Sequence, residues 1–251
     1  MIYLRCRLLI FIFRDIPVIG FTFGAMILLQ LPAEAHDYWF QVEGQEYVLY
    51  RGHHFGNHQG ETIIPYDPAI IDHITCLSPD GILQLVTPPT RYPLRVSGPC
   101  ARLTVEVNSG YWSETGIETI NQSKEQVPEA LYTWLVIEST TLLNSWNQHE
   151  HPSSLPQGLE IFLEKNPFLV EKGEKLRLVV LQAGKPRQGV TVAYDGNPRG
   201  VTGQDGRINI RVRHGGLQVI TGSIQEPADD AGKADTLLRS TTLLFELPDA
   251  P

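Results

Sequence analysis

The chain carries none of the short signatures that mark the common enzyme classes. It has no Gly-x-Ser-x-Gly elbow, no His-Glu-x-x-His pair, no phosphate-cradling loop and no glycine-rich dinucleotide fingerprint. That excludes the serine hydrolase, zincin, P-loop and Rossmann readings that rest on those motifs. Cysteine is scarce too, at three residues, and one of them, Cys6, lies in the extreme N-terminal segment. After residue 35 no stretch approaches the roughly 20 apolar residues of a spanning helix. No internal repeat of fixed period is present. Basic charge is also short: Lys+Arg number 20 against 28 Asp+Glu. An acidic chain is a poor electrostatic partner for nucleic acid or anionic lipid.

What is there begins with an export signal. Arg5 and Arg7 form a basic start, and Arg14 with Asp15 precedes an uncharged run from Ile16 to Leu31. Pro32 then breaks the run, and Ala33-Glu34-Ala35 offers a small-x-small cleavage site. This order reads as a secretory signal peptide, residues 1–35, rather than a retained anchor, for which the run is too short. The expected mature chain starts at His36. Its charge is more acidic than the whole, since losing Arg5, Arg7, Arg14, Asp15 and Glu34 leaves 17 basic against 26 acidic residues, a net of −9. The expected location is periplasmic or secreted, with no membrane insertion after cleavage. In such an oxidising compartment the remaining pair, Cys76 and Cys100, suits a disulfide.

Fold class is legible as all-β. Lys175–Leu181, Val190–Tyr194, Arg207–Arg213, Leu217–Ser223 and Ser240–Leu247 are short apolar-alternating runs parted by Gly, Pro and Asp turns. Asp205-Gly206 carries the sequence chemistry of a hairpin turn. Upstream, Tyr38–Val42, Glu46–Tyr50, Ile82–Val86 and Arg102–Val107 also read as strands, while Glu129–Asn147 hints at a helix despite its β-branched residues. Two β-sandwich-like domains are expected, Ig-like or carboxypeptidase-regulatory-like. They span residues 36–150 and 157–251 and join through the Pro-, Ser- and His-bearing stretch Asn144–Gly158.

Seven of the eight histidines precede residue 152: His36, His53, His54, His58, His73, His149 and His151. Only His214 lies in the second half. Imidazole is the commonest protein ligand for zinc, copper and nickel. Cleavage after Ala35 would give His36 two nitrogen donors, its ring and its free α-amine, whose pKa of about 7.7–8.0 lets a metal displace the proton at neutral pH. A third nitrogen would come from the Gly-rich loop Tyr50–Glu61, which holds His53, His54 and His58. His53 and His54 would face opposite ways in extended chain, so one of them can aim inward with His58. The alternative is a polar solvated loop. His149 and His151 read as equally at home in an acidic linker, and His73 as a strand residue.

The opening Ala35-His-Asp-Tyr-Trp-Phe40, directly after the signal, and Gly52-His-His-Phe-Gly56 resemble the corresponding segments of periplasmic NikM-like proteins. That group includes a domain of unknown function associated with nickel and cobalt transport. Pro156-Gln-Gly-Leu-Glu-Ile161, Asn166-Pro-Phe168, Gly184-Lys-Pro186 and Thr202-Gly-Gln-Asp-Gly-Arg207 are similar to its second, carboxypeptidase-regulatory-like sandwich. The resemblance implies a periplasmic metal-binding accessory protein in nickel or cobalt uptake or delivery, with a membrane transporter complex as partner. The implied cargo is a divalent transition metal, nickel or cobalt first, copper or zinc as alternatives. On the residues, the metal set is His36, His53, His54 and His58, with no catalytic residue assigned. Two other readings stand beside it: a structural or interaction module without metal, and an oxidative copper enzyme using an N-terminal histidine brace.

Overall fold

The computed structural model describes residues 37–53, 63–88, 90–146 and 155–248. The described chain is built from strands β1 (Asp37–Glu43), β2 (Glu46–Gly52), β3 (Ile71–Leu77), β4 (Leu83–Leu85), β5 (Arg95–Ser97), β6 (Arg102–Glu114), β7 (Thr119–Ile120) and β8 (Tyr132–Leu143), followed by β9 (Leu159–Leu163), β10 (Lys175–Gln182), β11 (Lys185–Pro186), β12 (Thr191–Tyr194), β13 (Asn197–Val201), β14 (Arg207–Arg211), β15 (Gly216–Pro227) and β16 (Thr236–Leu247). Only two short 3-10 turns, Pro68–Ile70 and Pro167–Leu169, interrupt them. The all-β, sandwich-like expectation holds. The hint of helix over Glu129–Asn147 does not: β8 fills most of it, because Thr133, Val136, Ile137, Thr140 and Thr141 fit a pleated surface better than a helix.

One sheet organises the molecule. It has nine strands in the order β13-β12-β15-β16-β8-β6-β3-β4, with β7 beside β6. Its central joint is the parallel pair of β8 and β16, aligned from Trp134 and Thr236 to Leu142 and Leu244. The sheet therefore draws strands from both sides of the stretch expected to separate two domains. Residues 147–154 of that stretch lie outside the described residues.

Each half nevertheless keeps its own core, on opposite faces of the shared sheet. Successive residues of a strand point to opposite faces. Leu142, Val219 and Leu244 join one cluster with Tyr38, Leu49, Ile74, Leu103 and Val105. Their immediate neighbours Leu143, Ile220, Leu243 and Phe245 join the other, with Leu159, Leu176, Leu178 and Val192. The first cluster is closed by the small sheet β1-β2-β5, the second by the sheet in which β9, β11 and β14 all pair with β10. Each fully buried Leu or Val contributes about 1.5–3 kcal/mol to folding.

Two local features correct or complete the sequence reading. Asp205-Gly206 is not a hairpin. The strands it joins, β13 and β14, belong to different sheets, and Gly206 N–H donates to Gly203 O at 2.9 Å in a turn that carries the chain across the core. Two-residue hairpins with both loop residues at positive φ form instead at Ala183-Gly184 and Asp195-Gly196. Cys76 and Cys100 are bridged, with Cα atoms 5.4 Å apart. By loop-closure entropy a bridge spanning 24 residues contributes about 3.5 kcal/mol.

Candidate functional site

The start of β1 and the end of β2 are ladder partners. Asp37 pairs with Gly52 and Tyr38 with Arg51. Gly52, at φ 150, also bridges Ile63, and Ile64 N–H donates to Arg51 O at 2.8 Å. The histidine loop thus leaves and returns at one point, beside the first described residue of the chain. His53, half-buried, sits at this base. The remaining candidate ligands, His36, His54 and His58, lie outside the described residues, as do His149 and His151. Among the described residues no group of three or more His, Cys, Asp or Glu is placed to hold a metal.

Beneath the ladder end lies a polar cluster that sequence reasoning missed. Strand β6 has a bulge between Asn108 and Gly110, where Ser109 is the extra residue against β8. Gly110 takes φ 78, and its N–H donates to Asn108 Oδ1 at 3.1 Å, so the Asn-Ser-Gly triplet supplies both the turn and the freedom it needs. The Ser109 carbonyl accepts from Trp112 Nε1 and Asn121 Nδ2, each at 3.1 Å. Fixed in this way, Ser109 Oγ donates to Glu138 Oε2 at 2.6 Å. Glu138 is the sole charged residue of β8. It shares the Tyr38 side of the sheet, since its neighbour Thr140, on the same face, donates to Tyr38 O at 3.2 Å.

Charged groups act on one another in this cluster. Burial raises the Glu138 carboxyl above the ordinary glutamate range; the Ser109 bond and the Arg51 guanidinium pull it back in part, and Asp37 adds to the rise. The buried Tyr38 phenol is pushed up to about 12, first by desolvation and then by the Glu138 charge. Arg51 lies over the Tyr38 ring, 5.9 Å from its centroid. Glu138 thus feels Arg51 and Asp37 with opposite sign. The signals that could have revealed the cluster were Asn-Ser-Gly inside a strand pattern and a lone Glu in an apolar β-branched stretch.

His73 is a strand residue, as expected. It lies in β3 opposite Glu106, on the face away from Glu138. Glu106 is buried, its carboxyl raised by desolvation, and it accepts the Gln157 and Gly158 amides. That makes it an anchor for the chain entering β9. His214 is structural: Nε2 meets Asp195 Oδ2 at 2.8 Å and the ring stacks on Tyr194 at 5.9 Å. A surface groove lined by Val42, Gly44, Glu46 and Pro99 lies at the opposite end of the β1–β2 hairpin.

A family model matches residues 33–226, most of the chain. The chain belongs to the DUF4198 family. The family is described as a domain of unknown function, so membership assigns neither metal nor activity. No curated protein matches the chain.

Proposed function

We propose that the DUF4198 chain is an exported protein that binds one divalent transition metal at the Asp37–Gly52 end of the β1–β2 ladder, as an accessory to nickel or cobalt uptake. The observation that carries the reading is the register. Asp37 faces Gly52, so the residue bonded to position 36 and the residue bonded to His53 are ladder partners. A chain cut after Ala35 would carry an α-amine and an imidazole on the residue next to Asp37. The loop bearing His54 and His58 is rooted at the same point by the Gly52–Ile63 bridge. An all-nitrogen set of this kind suits Ni(II) and Cu(II), and Co(II) close behind, better than the tetrahedral preference of Zn(II). Delivery to a membrane transporter complex follows from the resemblance to NikM-like proteins and from export.

The test starts from protein recovered from the periplasm, with N-terminal sequencing to verify a start at His36. Titration with nickel, cobalt, copper and zinc should show one tight site. His36→Ala, correctly cleaved, should abolish it, and His214→Ala should leave it unchanged. A mature start at Asp37 or beyond, or tight binding by the His36 variant, overturns the reading.

A further inference from the structure

We propose that the large sheet carries a second site, independent of the metal reading: a platform for an uncharged oligosaccharide, built on Trp112, Tyr132 and Trp134. It lies on the face of the large sheet that the small sheet covers at its other end, where Leu142 and Leu244 enter the core. Trp134 of β8 is the ladder partner of Trp112 in β6 and of Thr236 in β16, so the three side chains share one face across three strands. Leu238, two residues on from Thr236, lies on that face too. Tyr132, two residues before Trp134, joins them, and its ring stacks on Trp134 with centroids 5.8 Å apart. All five are half-buried rather than enclosed.

Sugar rings present apolar C–H faces edged by hydroxyls, and the platform matches both. Its rings are held in place: Trp112 Nε1 donates to Ser109 O at 3.1 Å, and Tyr132 Oη lies 2.6 Å from Thr236 Oγ1. Rigid Trp and Tyr rings give contact area at little cost in conformational entropy. Beside them Gln225, exposed, donates from Nε2 to both hydroxyls, at 3.0 Å to Thr236 Oγ1. One hydroxyl proton makes the Tyr132–Thr236 bond, which leaves the other, with the Gln225 Oε1 acceptor, to meet ligand hydroxyls. Charge narrows the ligand further. The lysines at this end, Lys124 and Lys233, are paired with Asp235 and Asp230, while Glu114, the ladder partner of Tyr132, is exposed at the rim. An acidic glycan or a phosphate would meet like charge here, and a neutral glycan meets none. From β6 across β8 and β16 to β15 the platform spans three strand spacings, about 14 Å, the reach of several linked sugars rather than one ring.

Affinity electrophoresis of the purified protein tests this, in native gels cast with soluble starch, hydroxyethylcellulose, galactomannan or arabinoxylan, and with alginate as the acidic control. At least one neutral polymer should retard the protein more strongly than alginate does. Trp134→Ala should lose at least about tenfold in affinity for that polymer, and Gln225→Ala several-fold. Trp134→Phe, which keeps a ring, should bind better than Trp134→Ala. Gln225 is exposed, so its variant probes the platform without disturbing the core. EDTA in the gel should leave retardation unchanged, so the platform and the metal site stand or fall separately. Free migration of the parent in all the neutral gels overturns the proposal, as does stronger retardation by alginate. Parent-like retardation of both Trp134→Ala and Gln225→Ala overturns it too, since binding would then lie elsewhere. So does a self-association of the parent that Trp134→Ala abolishes without any polymer binding, for a second copy of the chain would then cover the face.

Discussion

Glu138 illustrates how a single residue can be kept at a cost to the fold. Its carboxyl is raised chiefly by burial, so folding favours the protonated form. A group with a raised folded pKa contributes its full stability below the unfolded pKa and loses it as pH rises through the folded one. For Glu138 that window opens near the ordinary glutamate pKa and extends upward. In metal-free protein, Glu138→Gln should therefore gain melting temperature relative to the parent as pH is moved from 4 to 7. A difference that is flat or falls over that range, measured by calorimetry, would mean the carboxylate is fully compensated by its neighbours. The residue escaped the sequence reading because β8 was the one segment where period and propensity disagreed. The Cys76–Cys100 bridge, by contrast, was legible, because compartment and an even count decide it before any geometry is known.

Among the elements, turns show best where sequence signals are degenerate. Asp205-Gly206 has the residue chemistry of a hairpin, yet the same positive-φ glycine serves an arch between sheets. Nothing local separates the two outcomes; the choice lies in which sheet buries Ile208 and Ile210. The surroundings differ sharply, however. A Cβ on Gly206 would lie 2.7 Å from Val180 O and 3.0 Å from Arg187 N, whereas one on Gly196, in the Asp195-Gly196 hairpin, would meet nothing within 4 Å. Both glycines have positive φ, near 70°. Gly196→Ala should cost about 1 kcal/mol from backbone strain alone, and Gly206→Ala about 2–3 kcal/mol more, since backbone must move. Urea unfolding of the two variants would check this, and equal costs would show that the arch relaxes freely. The strands themselves were mostly legible from alternation. The β6 bulge was not, although Asn108-Ser109-Gly110 spells it, because a bulge changes register without breaking the apolar pattern.

At the scale of the molecule, the shared nine-stranded sheet joins two cores that the sequence presents as separate. The β8–β16 pairing was invisible in sequence because parallel neighbours so far apart leave no local trace. Val219 and Leu244, from the C-terminal half, complete the N-terminal core, so that half lacks part of its interior without them. Heating should accordingly give one cooperative transition, with calorimetric and van't Hoff enthalpies equal. Two resolved transitions would show that the halves fold independently despite the common sheet. The architecture also positions the β1–β2 ladder: the small sheet β1-β2-β5 covers one face of the large one, and Thr140 of β8 donates to Tyr38 O of β1.

The most direct measurement is calorimetric titration of nickel into two forms of the protein, one beginning at His36 and one carrying a single extra glycine before it. The extension leaves every side chain in place and removes only the α-amine from His36. The first form should bind one equivalent tightly, and the second at least about a hundredfold more weakly, for loss of a chelating nitrogen. Equal affinity in the two forms would contradict a metal site built on the mature N-terminus.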